Sequence, residues 1–179
     1  MTQVLTSRLA TLDDLPALKG LMALAIGELQ KGFLTPDEIE ASRAVMGLDT
    51  QLVRDGTYFI IESEGQLAGC GGWSRRATLY GGDHSTELRE PRLLDLATEA
   101  ARVRAMYTHP DFTRRGVGKM IITLSEAAAR AEGFARAEMM ATLAGEPLYR
   151  SCGYEEIERH FAEVGDLRVP LIRMGKALK

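Results

Sequence analysis

Little in this sequence points to a metal, a membrane or a nucleic acid. Of 179 residues only two are cysteine, Cys70 and Cys152, and three are histidine. Neither number nor spacing supplies a zinc-ligand set. Both cysteines lie in apolar or glycine-rich surroundings, where a free thiol behaves as a small hydrophobe. Such usage suits a reducing, cytoplasmic compartment. Net charge is only −3, from 22 Lys and Arg against 25 Asp and Glu, so no overall basic field draws the chain to nucleic acid or anionic lipid. No stretch approaches the ~18 apolar residues of a membrane-spanning helix. The opening MTQVLTSRLA holds no apolar run of signal-peptide length. Internal repeats and low-complexity tracts are missing as well. Any anion site must therefore be local.

What is present is an ordinary globular composition, 45% hydrophobic and 26% charged, in a length that suits one domain over residues 1–179 with a real core. A first strand is expected over 3–10. Thr11 with Asp14 is a capping-box pattern. Leu12, Leu15, Leu18, Leu21, Met22, Ala25, Ile26 and Leu29 then form one stripe of an amphipathic helix, which Gly32 ends. Thr35-Pro36-Asp37-Glu38 opens a second helix, expected to run to Gly47. Residues 57–63 and 66–73 read as a β-hairpin turning at Glu64-Gly65. Residues 74–99 lack periodicity and read as a long loop, a length at which loops are often functional. Strands are expected at 102–108, 136–142, 154–161 and 169–174, a helix over 115–132, and a short helix over 146–151. The order β-α-α-β-β-β-α-β-α-β-β implies an α/β fold. Its strand–turn–helix–strand unit gives one parallel pair with a right-handed crossover, in an otherwise antiparallel sheet.

The segment that carries chemistry is Thr113-Arg114-Arg115-Gly116-Val117-Gly118-Lys119, between a strand and an amphipathic helix. The first N–H groups of a helix lack partners and its dipole is positive there. Glycines let an anion approach the backbone, and Arg114, Arg115 and Lys119 add charge. This is a cradle for a pyrophosphate. A Walker A loop fails, because Thr113 and Met120 stand where a glycine and a hydroxyl residue are required. A dinucleotide fingerprint also fails, because Ile121 replaces its third glycine.

The run AMYTHPDFTRRGVGKMII resembles the cofactor signature of the GCN5-related N-acetyltransferase (GNAT) superfamily, Arg/Gln-x-x-Gly-x-Gly/Ala after a strand. Gly116 and Gly118 match its glycines, and Thr113 departs from its first position. Pro147-Leu148-Tyr149-Arg150-Ser151-Cys152-Gly153-Tyr154 resembles the later "Phe-Tyr-x-x-x-Gly-Phe" segment, and "VPLIRMGK" the last strand of many members. The resemblance implies a mostly antiparallel sheet of about seven strands, flanked by about four helices, with a splayed parallel pair at 102–108 and 136–142. It implies acetyl-CoA as cosubstrate and no metal, with transfer of an acetyl group to a primary amine of a small molecule or peptide. Pantetheine would lie along Met106-Tyr107-Thr108, where a main-chain N–H polarises the thioester carbonyl. The pyrophosphate would lie on Arg114, Arg115, Gly116, Val117, Gly118 and Lys119. Tyr149 matches the tyrosine that protonates the leaving thiolate. Leu143-Ala144-Gly145 lacks the Asn that contacts cofactor in many members.

The general base stays open between Glu99, His84, Glu87 and a water route, and His109 reads as structural. Glu28, Glu38 and Glu40 could attract an amine, and Trp73 and Tyr80 could line its pocket. The alternative reading is a non-catalytic acyl-CoA-binding sensor. A homodimer is compatible with the resemblance; nucleic acid and membrane partners are not expected.

Overall fold

The computed structural model describes residues 3–178. Its first half runs β1 (Leu5–Leu9), α1 (Leu15–Leu29), α2 (Pro36–Ser42), α3 (Thr50–Arg54), β2 (Tyr58–Ser63) and β3 (Gln66–Ser74). Its second half runs β4 (Ala101–Thr108), α4 (Val117–Glu132), β5 (Arg136–Thr142), α5 (Glu146–Ser151), β6 (Glu155–Val164) and β7 (Leu167–Ala177). The strands form one seven-stranded sheet of order β1-β2-β3-β4-β5-β7-β6.

Every neighbouring pair is antiparallel except β4 and β5. That parallel pair touches only at Ala101–Ala137 and Arg102–Glu138. Beyond those residues the two strands part, and the sheet opens a wedge toward their C-terminal ends. Ligands of open α/β sheets bind outside strand C-terminal ends, so the splay positions a site.

The apolar stripes behave as their spacing requires. Leu18, Leu21, Met22, Ala25 and Ile26 of α1 are buried in a cluster with Leu52, Tyr58, Ile60, Cys70 and Tyr107. On α4 the buried residues include Val117, Ile121, Ile122 and Ala129. Ile121 packs with Ile61 and Ala68, while Ile122 packs with Val103, Met139 and Ile172. Thr35 and Glu38 complete a reciprocal capping box, with Thr35 N–H donating to Glu38 at 2.8 Å and Glu38 N–H to Thr35 Oγ1 at 3.2 Å. Cys70 is fully buried with its Sγ 3.2 Å from Tyr58 Oη, and burial pushes its thiol up to about 12. It is inert packing.

Two elements differ from the sequence expectation. The second helix stops at Ser42 rather than Gly47; residues 43–45 continue only as turns. A further one-turn helix, α3, follows. It starts where Asp49 accepts from Gln51 N–H at 3.0 Å, an N-cap, and it is fixed by the burial of Leu52 and Val53. The loop from 75 to 99 is not free chain. Arg76 pairs with Asp55 at 2.8 Å, Arg75 with Glu132 at 2.5 Å and Arg89 with Asp49 at 3.3 Å, while Asp83 accepts from Thr50 Oγ1 at 2.5 Å.

One buried polar cluster ties α4 to β7 and to the residue before β6. Glu126, nearly inaccessible, accepts from Tyr154 Oη at 2.9 Å and from Lys176 Nζ at 2.9 Å. Replacing Glu126 with Ala leaves the buried phenol without an acceptor. Urea unfolding should register a loss of about 1–3 kcal/mol; a loss below about 0.5 kcal/mol, the usual range for a surface change, would show the cluster contributes nothing.

Candidate active site

The wedge between β4 and β5 leads into a cleft of about 550 Å³. Its floor is the end of β4; its walls are α1, the start of α4 and the start of α5. At the α4 end the chain turns through two left-handed residues, Arg114 (φ 61) and Gly116 (φ 86). Gly116 is the N-cap of α4. A Cβ placed on it would meet no atom within 4 Å, so the helix start faces open space. The first main-chain N–H groups of α4 are aimed into that space with the positive helix end behind them. Gly118 is small for another reason: a Cβ there would lie 2.5 Å from Leu148 Cδ2. It lets α5 close against α4.

Met106, Tyr107, Thr108, Arg114, Gly116, Val117, Gly118 and Lys119 all line the cleft. Arg115 does not. It turns outward, stacks 5.3 Å over the Phe112 ring and donates to Gln3. Ala144 and Gly145 line the cleft at the α5 end.

A second, smaller cavity of about 80 Å³ lies deeper in the wedge. The two cavities share Met46, Met106, Tyr107, Thr142 and Tyr149. Tyr149 therefore stands at their junction. Its ring sits edge-on to Tyr154 at 6.5 Å and above Gly145, where a Cβ would approach Tyr149 Cε2 to 2.7 Å. Desolvation, helped by Cys152, pushes the phenol up to about 12, so it is a proton donor at neutral pH. No described residue hydrogen-bonds to it. Tyr107, by contrast, accepts from Gly47 N–H at 2.8 Å.

The β4 backbone is distorted at this point. Cys70 faces Tyr107 and Gly72 faces Arg104, so β4 holds one residue more than β3 between the two pairs. This β-bulge includes Ala105 at φ 51, and Tyr58 Oη pins it by donating to Ala105 O at 2.6 Å. Bulges of this kind re-aim the residues that follow, here Met106 and Tyr107.

The residues considered as bases or amine-binding acids lie elsewhere. Glu99 pairs with Arg92 at 2.8 Å. His84 Nε2 is 2.7 Å from Arg43 O. His109 Nδ1 accepts from Asp111 N–H at 3.1 Å. Glu28 holds Lys31, Glu38 caps α2 and Glu40 holds Arg43. Neither they nor Glu87 lines either cavity. Trp73 is buried against Phe134, whereas Tyr80 does line the smaller cavity. Reading the sequence alone missed the group on that cavity's wall: Arg104, buried and bound to Asp49 at 3.1 Å. The only trace was two arginines, Arg102 and Arg104, in the interior of a strand. Arg102 is bound to Glu138 at 3.3 Å.

Residues 54–156, more than half of the chain, match the family model for the acetyltransferase (GNAT) domain. The chain belongs to the GNAT acetyltransferase family. It is an acetyl-CoA-dependent N-acetyltransferase, with acetyl-CoA as the cosubstrate. By sequence, no curated protein matches. The fold of this acetyltransferase is similar to that of a GCN5-related N-acetyltransferase from Rhodopseudomonas palustris, with a TM-score of 0.69, 18% identity, and 99% and 97% of the two chains covered. It is also similar to PaiA N-acetyltransferase from Thermoplasma acidophilum, solved with coenzyme A, at a TM-score of 0.64, 12% identity and 97% and 99% coverage. The Escherichia coli ribosomal-protein-S18-alanine N-acetyltransferase gives 0.60, 16%, and 98% and 95%. Among the described residues no cluster of His, Cys, Asp and Glu could hold a metal, and no helix is long and apolar enough to cross a membrane.

Proposed function

We propose that the larger cleft takes acetyl-CoA with its pyrophosphate on residues 114–119 and its pantetheine along Met106-Tyr107-Thr108, and that the smaller cavity takes the acceptor, a primary amine of a small molecule or peptide. The observation that carries this is Tyr149 at the junction of the two cavities, with its hydroxyl free. The whole of 1–179 acts as one catalytic domain, in the cytoplasm, and a homodimer is compatible with it.

The division of labour follows from the chemistry. The amine nitrogen forms a bond to the thioester carbonyl carbon. A main-chain N–H at Met106 or Tyr107, after the Ala105 bulge, donates to the carbonyl oxygen as it gains charge, the oxyanion role in which one donor is worth about 2.7–4 kcal/mol. As the C–S bond breaks, Tyr149 gives its proton to the sulfur, and water carries away the proton of the amine. The open space over Gly116 fits a pyrophosphate, and Arg114 and Lys119 supply its counter-charge. Arg115, facing away, adds only to the wider field.

The test is release of free thiol from acetyl-CoA with a broad panel of primary amines. Amine-dependent release, saturating in both substrates, is expected. Binding of acetyl-CoA without amine-dependent release from any member would sink the two-cavity assignment.

A further inference from the structure

The smaller cavity carries a charge imbalance that the acetyl transfer does not explain. None of its lining residues is Asp or Glu, although its occupant is an amine. Instead its wall contains Arg104, whose side chain is only 2% exposed. The guanidinium has five N–H donors. Nη2 donates to Asp49 Oδ2 at 3.1 Å and Gly81 O at 2.8 Å, and Nη1 donates to Thr78 O at 3.3 Å. Nε–H and one Nη1–H are left with no partner among the described residues.

Asp49 does not balance this cation alone. It is itself buried, caps α3 through Gln51 N–H at 3.0 Å, and is shared with Arg89 at 3.3 Å. Two guanidiniums thus face one carboxylate, Arg89 from the partly exposed side, so Asp49 is shared and not devoted to Arg104. Asp83, the next acid along the loop, is exposed and engaged with Thr50 at 2.5 Å. A brace that merely tied the 75–99 loop to β4 would leave no donor of the buried guanidinium idle. Buried N–H groups without an acceptor are costly, and the two on Arg104 point to a ligand that completes them.

Resting on the two-cavity reading above, we infer that the acceptor is an amine carrying a carboxylate, of the amino-acid class, and that Arg104 binds that carboxylate. The carboxylate then accepts from the two free N–H groups. A charge-assisted bond of this kind is roughly twice as strong as a neutral one. The absence of acids from the cavity lining also becomes intelligible, because the group recognised there is an anion on the acceptor.

The experiment compares matched acceptors that differ only in the carboxylate. α-, β- and γ-amino acids are set against their decarboxylated amines and their amides, and thiol release is followed at several concentrations. Acids should exceed their decarboxylated partners by at least tenfold in kcat/KM, mainly through KM. Arg104→Gln should abolish that preference while the acetyl-CoA thermal shift stays parental. If Arg104→Gln folds poorly, Arg104→Lys keeps a cation but loses the guanidinium, and should weaken the preference in the same direction. Equal or better use of the decarboxylated amines, or turnover of no carboxylate-bearing amine while other amines are used, overturns the inference but spares the acetyl-transfer reading. If acetyl-CoA is bound but no amine of any class is used, both fall. Calorimetry on the CoA-bound protein, comparing N-acetyl amino acids with the matching N-acetyl amines, reads the same discrimination from the product side. A preference surviving intact in both Arg104 variants would remove Arg104 from recognition.

Discussion

Gly116→Val is expected to abolish acetyl-CoA binding without unfolding the protein. In the parent, ligand at a hundred times its Kd adds about 2.7 kcal/mol of stability by mass action, which appears as a clear rise in Tm. Gly116 sits at φ 86 with open space around its missing Cβ. A Cβ there meets no protein atom within 4 Å, so the main cost to the fold is the left-handed backbone, on the order of 1–3 kcal/mol for a non-glycine residue. The branched side chain occupies the space in front of the first α4 N–H groups, where the anion must come. The affinity loss should be at least hundredfold, about 2.8 kcal/mol at 1.4 kcal/mol per decade, and the thermal shift should vanish. S-acetylpantetheine, which lacks the pyrophosphate, should give little shift with either protein. Gly118 serves as the contrast. Its Cβ would strike Leu148 Cδ2, the movable end of a side chain. Gly118→Ala should therefore weaken packing of α5, and Leu148→Ala should restore part of the loss if the contact is the cause. A Gly116→Val protein that binds acetyl-CoA as the parent does would show that the anion lies elsewhere.

What could be read from the sequence follows the distance over which each feature is encoded. The stripes of α1 and α4, the Thr35–Glu38 capping box and the turn at 113–119 are all written within a few residues. Each was legible because burial or hydrogen bonding repeats at helical spacing. The parallel pairing of β4 with β5 was legible because a strand, a helix and a strand in succession admit essentially one handedness. α3 was not, because one turn of helix has no period to detect. It exists through the Asp49 cap and the burial of Leu52. The 75–99 loop was opaque because its anchors are distant in sequence: Arg76 reaches Asp55, Arg89 reaches Asp49 and Ser85 Oγ donates to Ala44 O at 2.7 Å.

The site divides in the same way. The larger cleft takes much of its lining from one contiguous segment, 106–119, and from 142–149. The smaller cavity is assembled from 45–47, 79–81, 103–107, 139–142, Tyr149 and Leu171, and no local pattern announces that gathering. The bulge at Ala105 is equally silent, since alanine carries no mark of a positive φ. Its cause lies in Tyr58, whose hydroxyl holds the Ala105 carbonyl. Glu and His are the residue types that announce a base in a sequence, whereas the cavity presents an arginine.

Tyr149→Phe should separate chemistry from binding more sharply than the sequence alone allowed. The substitution removes one oxygen and keeps the ring against Tyr154 and Gly145. No described residue hydrogen-bonds to that oxygen, so folding stability should change by less than about 0.5 kcal/mol, the range of an unremarkable surface change. The acetyl-CoA thermal shift should also be parental. Turnover with a saturating acceptor should fall between about ten- and a thousandfold, overlapping general acid catalysis. The loss should appear equally in kcat and kcat/KM, as for an interaction made only in the transition state. Because desolvation pushes the phenol up to about 12, it stays protonated well above neutrality. Parent activity should then show no decline from loss of this donor below about pH 11, one unit under its pKa. A variant of full activity would place the proton source elsewhere. Tyr107 is the remaining phenol on both cavities, and its hydroxyl proton is free because the oxygen accepts from Gly47 N–H. In that case Tyr107→Phe, not Tyr149→Phe, would carry the loss in kcat.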